Sequence, residues 1–297
     1  MSVRLGISPI GWSNDDLPEL GGDIPLETCL EEARHAGFAG IELGHKFPRS
    51  GASLRPLLAR HGLALVSGWY GGHLLERPLD AEIDAIGAHL GLLSEMGCAV
   101  MVFAEVSFSI AGDKSRPLSA RPRLGPGEWR DFGAALTRLA EHCATRGVRI
   151  AYHHHMGTVV ESEDEIDRLM AATGEAVGLL LDTGHLAFAG ADPKAIALRH
   201  CRRINHVHCK DVRAEILARV HDADLSFLDA VLAGVFTVPG DGAIDFVPVL
   251  RALAPSGYAG WLVVEAEQDP VKAPPLAYAR KGFAHLRTVM ADAGLPR

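Results

Sequence analysis

The sequence lacks any apolar run long enough to cross a bilayer, and its first residues, MSVRLGISPIGW, lack the basic, apolar and small-residue order of a secretion signal. It has only five cysteines, an odd number without a CxxC pair, which argues against a disulfide framework. We therefore expect a cytoplasmic protein with reduced thiols and no part embedded in a membrane.

Positive charge is also scarce, since 29 lysines and arginines stand against 37 aspartates and glutamates, for a formal net charge of −8. This balance predicts no basic face for a phosphate backbone, so nucleic acid is not expected as a partner. The glycine-rich phosphate loops GxGxxG and GxxxxGKS are absent as well. Their absence weakens the case for an open, doubly wound sheet, which is the structural alternative to the fold proposed next.

Short apolar runs alternate with amphipathic segments eight times along the 297 residues. Strands that alternate with helices imply a parallel sheet, and eight such units close into a barrel of this length. The sequence therefore predicts an α/β protein, a single-domain (β/α)8 TIM barrel over residues 1–297, with its active site at the carboxyl ends of the strands. Residues 109–127 and 211–240 are predicted to be long loops on that face, and the first is a candidate lid.

Three consecutive histidines end the apolar run VRIAYHHH, which spans Val148 to His155 and reads as the fifth strand. Each imidazole carries ring nitrogens that need partners, so the triplet suits a metal or acid–base site better than a core. Adjacent strand residues point to opposite faces, which places His153 and His155 on one face and His154 on the other. We expect at least one of them to be a metal ligand.

Other predicted strands also end in ionisable or aromatic residues. In chain order, these positions are Glu42, Trp69, Glu105, His153, Asp182, His208 and Glu265. Barrel strands converge at one face, so the side chains are expected to share a site. The last four come from consecutive strands, and their nitrogen and oxygen donors suit Mn²⁺, Co²⁺, Fe²⁺ or Zn²⁺ better than Ca²⁺.

Structural explanations stay open for each of these residues. Asp182 could cap the next helix, His208 could pack against Asp211, and Glu265 could pair with Lys210 or Arg213. For Glu42 and Glu105 a structural ion pair is as good an explanation as catalysis.

Three residues near the strand ends are further candidates. His185 could orient a ligand, and Lys210, two residues beyond His208, could hold a substrate oxygen. Asp241, between two glycines in PGDG, reads as a turn residue that could contact substrate.

At these positions the chain resembles the myo-inosose-2 dehydratase family of bacterial inositol catabolism. The strings that carry the resemblance include GIELGHKFPR, YHHHMGTVVES, LLDTGHLAFAG, HVHCKDVR, FTVPGDGAIDF and VVEAEQDP. They lie between Gly6 and about Tyr278, whereas the wider superfamily of xylose isomerase-like barrels shares only the strand-end pattern. In that superfamily the fifth strand usually supplies a glutamate ligand. Here the matching position is His153, which leaves His155 open as the ligand.

The resemblance implies a lyase that dehydrates 2-keto-myo-inositol (scyllo-inosose) to a trihydroxycyclohexane-dione through a metal-stabilised enediolate. It implies Mn²⁺ or Co²⁺ as cofactor, and it alone suggests glutathione and a homodimer or tetramer. For the acid–base steps, Glu265 or Glu42 is the expected base and His153, His155 or His185 the expected acid, with Lys210 as a further catalytic candidate. The residues expected to bind substrate are Trp69, Glu105, Arg213 and Asp241.

Three other functions stay open. A metal-dependent ketose isomerase or epimerase would share the metal and the enediolate but would release no water. A nuclease for abasic sites fits poorly with the net charge of −8. A non-catalytic sugar-binding barrel would leave the acids and imidazoles unexplained.

Overall fold

Eight of the strands pair in parallel and close into a barrel in the computed structural model, which describes residues 2–295. The strands are β1 (Arg4–Ile7), β2 (Gly40–Leu43), β3 (Ala64–Gly72), β4 (Val100–Glu105), β5 (Arg149–Tyr152), β6 (Val177–Asp182), β7 (Ile204–Cys209), β8 (Asp211–Val212), β9 (Phe236–Thr237) and β10 (Trp261–Val264). Around the barrel the order is β1-β10-β7-β6-β5-β4-β3-β2, while β8 and β9 form a separate antiparallel pair. The predicted barrel is confirmed. The predicted domain of residues 1–297 includes positions 1, 296 and 297, which lie outside the described residues.

Helices alternate with the barrel strands. They are α1 (Leu26–Ala36), α2 (Gly51–Arg60), α3 (Leu79–Met96), α4 (Glu128–Thr145), α5 (Glu163–Ala172), α6 (Thr183–Phe188), α7 (Pro193–His200), α8 (Ala214–Asp222), α9 (Phe227–Ala233), α10 (Phe246–Leu253) and α11 (Pro275–Ala293). Their ends follow local chemistry. The Ser162 hydroxyl and the Glu165 carboxylate form a capping box at the start of α5, and Gly97 ends α3 with a φ of 77°.

Strand parity divides the apolar residues into two sets. Leu54 on α2 and Leu136 on α4 are fully buried in the main core, together with the outward side chains of the barrel strands. Inside the barrel, a small cluster of Val102, Ala151 and Leu180 fills the axis. Burial of each leucine contributes about 1.5–3 kcal/mol. The polar strand-end residues therefore lie above an apolar layer inside the barrel.

Three features differ from the simple strand–helix reading. Strand β5 ends at Tyr152, so the three histidines follow it, although His153 N still donates to Phe103 O at 2.7 Å. Helix α6 was not predicted, and it begins immediately after β6. Residues 211–240 contain α8, α9 and the β8–β9 pair, and Phe227, Val231 and other apolar residues there form a second core.

Residues 109–127 contain one 3-10 turn, Leu118–Ala120. The buried Arg121 holds this segment, because its Nη2 atom donates to both oxygens of Glu165, at 2.8 and 2.9 Å. Within residues 2–295, none of the helices is long and apolar enough to span a membrane.

Candidate active site

A cavity of about 320 Å³ opens at the carboxyl ends of the barrel strands. Its charged and imidazole-bearing lining residues are Asp15, Asp16, Glu42, Glu265, Glu267, His153, His155 and His208. Among the described residues, no lysine or arginine lines it. Trp69 lines the cavity and is 51% exposed. The cavity is therefore rich in hydrogen-bond acceptors and carries negative charge.

The four predicted metal ligands lie together at its floor. Ligand atoms of His153, Asp182, His208 and Glu265 lie within 4.8 Å of one another, and all four residues are buried. Strand register brings two of them together, because Asp182 on β6 is paired directly with His208 on β7. We call these four residues the floor group.

The contacts within the floor group fit a divalent cation. His208 Nδ1 is buried without a hydrogen-bond partner and lies 3.1 Å from Glu265 Oε2 and 3.7 Å from Asp182 Oδ2. His153 Nε2 lies 3.2 Å from the same Asp182 oxygen. Two imidazoles and two carboxylates directed at one point form a nitrogen and oxygen donor set of the kind that binds Mn²⁺, Co²⁺ or Zn²⁺.

The two carboxylate oxygens of Asp182 face different neighbours. Its Oδ1 atom accepts a hydrogen bond from His185 N at 2.9 Å and caps α6, a helix that the sequence did not predict, while Oδ2 faces the other floor residues. Burial alone would raise the pKa of Asp182, but His185 and the Lys210 ammonium hold it well below its usual range. Asp182 is therefore ionised at neutral pH, and one carboxylate both caps the helix and faces the floor group.

Lys210 is a buried cation beside the floor group, and it does not line the cavity. Its Nζ atom lies 2.8 Å from Glu265 Oε1, 2.8 Å from Glu267 Oε1 and 2.9 Å from His185 Nε2. These carboxylates raise the pKa of Lys210 against the effect of burial, and they keep the amine charged. Lys210 is enclosed and contacts the carboxylates, so its direct contact with substrate stays a prediction.

His155 lines the cavity and has one uncommitted ring nitrogen. Its Nδ1–H donates to Met156 O at 2.8 Å, which leaves the lone pair on Nε2. Burial, together with the neighbouring His185 and His153 rings, lowers the pKa of His155 to about 3, so the ring is neutral. His154 points away and is fully buried, as the strand parity predicted, and neither of its ring nitrogens has a partner.

Glu42 lines the cavity at the end of β2, but one of its oxygens is already saturated. Oε1 accepts hydrogen bonds from Ser67 Oγ at 2.6 Å, His206 Nε2 at 2.9 Å and His208 Nε2 at 3.2 Å. This arrangement is that of a structural acceptor, and it weakens the prediction that Glu42 is the general base.

Three predicted substrate contacts are not brought to the cavity. Glu105 faces the helix layer, because Val102 and Ala104 take the inward parity of β4, and its carboxylate accepts from Leu74 N and Ser107 N. Arg213 and Asp241 bind each other at 2.8 Å. Asp241 also accepts from Thr237 and Lys281, so its carboxylate fixes the turn, and neither residue of the pair lines the cavity.

The sequence reading missed three residues that belong to the site. Glu267 and His206 each lie two positions from a predicted ligand, so strand alternation could have found them. Asp16 lines the cavity from the loop after β1, and no pattern marked it. Although Asp16 is exposed, partial desolvation by the surrounding protein and the carboxylates of Glu267 and Asp15 raise its pKa to about 6.

Comparison with known proteins agrees with this architecture. A family model described as a xylose isomerase-like TIM barrel matches residues 30–289. The rhizopine catabolism protein MocC of Rhizobium meliloti is 55% identical over 99% of this chain and 90% of its own length. An inosose dehydratase of Geobacillus thermodenitrificans is 48% identical over 96% of both chains.

Solved structures support the fold alone, because their identities are low. An L-ribulose 3-epimerase superposes with a TM-score of 0.68 at 19% identity, covering 99% of this chain and 96% of its own. The IOLI protein, solved with a zinc atom, superposes with a TM-score of 0.64 at 16% identity, covering 98% and 97%. From its full-length relatives and its matched family model, the chain belongs to the inosose dehydratase family of xylose isomerase-like TIM barrels.

Proposed function

We propose that this protein is a hydro-lyase that removes water from an inosose, 2-keto-myo-inositol, and yields a trihydroxycyclohexane-dione. The observation that carries the proposal is the floor group of two imidazoles and two carboxylates beneath a cavity rich in acids, in a chain whose full-length relatives include proteins named inosose dehydratase.

The cavity supports an uncharged, hydroxylated substrate. Carboxylates accept hydrogen bonds from hydroxyl groups, and a lining without lysine or arginine offers no partner to a phosphate. The indole of Trp69 at the mouth provides an apolar face for the C–H surface of a ring. A cavity of about 320 Å³ matches a single six-membered cyclitol at the lower end of the range for small-molecule sites.

The floor group would hold the metal, and we propose Mn²⁺ or Co²⁺. When bound, such an ion polarises the ketone oxygen as a Lewis acid and acidifies the neighbouring C–H. Lys210 keeps Glu265 and Asp182 charged and in place for it. Glutathione stays a prediction from the resemblance.

We assign proton transfer to groups that line the cavity and have an uncommitted atom. His155 Nε2 has its lone pair free and takes the proton from the carbon beside the ketone; because a pKa of about 3 makes this ring a weak base, the step requires a strongly acidified C–H. Asp16, with a pKa of about 6, is partly protonated near neutral pH and gives a proton to the departing hydroxyl at the mouth. Glu42 and Glu265, the bases expected from the sequence, have oxygens committed to histidines or to Lys210.

The experiment is to incubate metal-stripped protein with scyllo-inosose, with and without Mn²⁺ or Co²⁺, and to follow product mass and enone absorbance. We expect loss of one water only with metal, and much slower loss in the His155→Gln and Asp16→Asn variants. Rearranged ketose of unchanged mass would replace this proposal with the isomerase or epimerase.

The proposal also covers the cellular compartment of the enzyme and the loops around its site. All five cysteines are free and four are buried, which supports a reducing compartment such as the cytoplasm. We propose that residues 109–127 shape one wall of the substrate site, because Ser109, Ala111 and Gly112 line the cavity. For residues 211–240 a place on the same face is also proposed, and assembly as a dimer or tetramer stays a prediction.

A further inference from the structure

Glu42 Oε1 is the meeting point of three hydrogen-bond donors. Ser67, His206 and His208 all direct a proton at this one oxygen, at 2.6, 2.9 and 3.2 Å. Each donor residue is at most 2% exposed, and Glu42 itself is 6% exposed. With so little solvent present, the protein alone fixes which atom of each ring carries the hydrogen.

The two nitrogens of His208 face different neighbours. A neutral imidazole has one N–H and one lone pair, so a ring that donates Nε2–H to Glu42 keeps its lone pair on Nδ1. Nδ1 is the atom directed at Asp182 and Glu265 in the floor group. The opposite tautomer would point an N–H at the place where a cation must bind, and no lone pair would remain there.

We propose that Glu42 is a positioning residue that fixes His208 in the tautomer with Nδ1 free for a metal ion, while His206 and Ser67 hold the Glu42 carboxylate in place. This inference rests on the proposed function only in requiring a metal at the floor group. Three donors meet the single oxygen Oε1, so Glu42 acts as a hydrogen-bond acceptor at that atom.

A competing arrangement uses the same residues as ligands. Atoms of Glu42, His206 and His208 also lie within 4.8 Å of one another and could themselves surround an ion. The geometry favours hydrogen bonds, because both Nε2 atoms and the Ser67 hydroxyl meet a single oxygen at hydrogen-bond distance. The floor group offers four ligand residues, and three of them line the cavity.

The test is titration of the full metal-stripped protein with Co²⁺ and Mn²⁺, by calorimetry and by the visible spectrum of bound Co²⁺. Glu42→Gln places an amide where the carboxylate stood, and its N–H can donate to Nε2 and impose the wrong tautomer. We expect metal binding to weaken about 10- to 100-fold, the usual cost of losing a group that orients a ligand. Glu42→Asp, which keeps the charge, should recover part of the affinity.

Glu82→Gln is the matched control. Glu82 is a fully buried carboxylate on α3 that accepts from Tyr70 and Arg77, far from His208 in its contacts, so its loss should leave metal affinity unchanged. If Glu42→Gln does not fold, Ser67→Ala removes one donor to Glu42 and should weaken Co²⁺ binding by a smaller factor. The His206→Gln variant tests the other donor in the same way.

The results of the metal titration distinguish a positioning role of Glu42 from the alternatives. Unchanged Co²⁺ affinity and spectrum in Glu42→Gln would overturn the inference, and so would complete loss of binding equal to that of Asp182→Asn, which would make Glu42 a ligand. Failure of the unchanged protein to bind either metal would also overturn it. Turnover of inosose does not enter these measurements, so the proposed dehydration can fail while the role of Glu42 stands.

Discussion

Replacement of Lys210 by methionine removes a buried ammonium while keeping most of its apolar stem. Nζ lies 2.8 Å from Glu265 Oε1, 2.8 Å from Glu267 Oε1 and 3.4 Å from Asp182 Oδ2, and the residue is 0% exposed. The substitution therefore takes from three buried carboxylates the cation that they share. We expect a large loss of stability in the metal-stripped protein.

The size of this loss follows from distance and burial. At 2.8 Å and an effective dielectric constant of about 20, each close charge pair is worth roughly 6 kcal/mol before desolvation is subtracted. Breaking one buried pair typically costs about 3–5 kcal/mol, because it leaves an uncompensated charge in the interior. In a chain of this length 1 kcal/mol shifts Tm by about 2 °C, so the expected drop is roughly 6–10 °C.

Thermal unfolding followed by circular dichroism, with a chelator present, measures the effect. Lys281→Met is the control, since Lys281 pairs with Asp241 at the surface, where losing a pair costs less than about 1 kcal/mol. Mn²⁺ should restore more stability to Lys210→Met than to the unchanged protein, because a divalent ion replaces the missing positive charge. A Tm within about 2 °C of the unchanged protein would refute the idea that this ammonium holds the carboxylates.

Three more substitutions probe the surroundings of the site. The raised pKa of Asp16, about 6 against an ordinary 3.8, means that ionisation costs stability as pH rises through that window. Asp16→Asn should therefore raise Tm slightly near pH 8, because Asp16 is exposed and its repulsion is screened, and should leave Tm almost unchanged near pH 4; equal shifts at both would contradict the assignment. Gly184→Ala places a Cβ 2.5 Å from Lys210 Cγ and should cost about 1–3 kcal/mol in urea unfolding, whereas Gly87→Ala, in open space on α3, should not destabilise. Trp69→Ala should raise KM about 10-fold with little change in Tm, since the indole is 51% exposed, and an unchanged KM would remove Trp69 from the substrate site.

Much of the fold could be predicted because local signals agree with the global pattern. A glycine is a typical residue at the end of a helix, and Gly97 takes a φ of 77° at the end of α3. Apolar runs gave the eight strands, and strand ends brought His153, Asp182, His208 and Glu265 into one group. These inferences needed only the direction of each strand, which a parallel barrel fixes.

The parts of the site that could not be predicted depend on which face of a strand a residue takes and on contacts between residues distant in the sequence. Neighbouring strand residues face opposite sides, so Ala104 faces the cavity and Glu105 faces the helices. Sequence periodicity does not locate a strand end to within one residue, so it could not decide between them. The hydrogen bond from His206 to Glu42 joins residues 164 positions apart, and only closure of the barrel brings them together. Asp16 sits in a loop without periodicity, so its place in the cavity could not be predicted.

The tripeptide after Asp182 shows how one buried charge explains a local sequence. The Thr183 hydroxyl donates to Lys210 O at 2.6 Å and accepts from Lys210 N at 3.0 Å. Gly184 leaves the room that the lysine stem occupies, and His185 Nε2 lies 2.9 Å from the ammonium. From sequence, only His185 was given a role, as a partner of a metal ligand. In the structure all three residues surround Lys210, so Gly184→Ala and Lys210→Met should disturb the same carboxylates. Their combined effect should then be clearly less than the sum of the single effects, because both remove one arrangement.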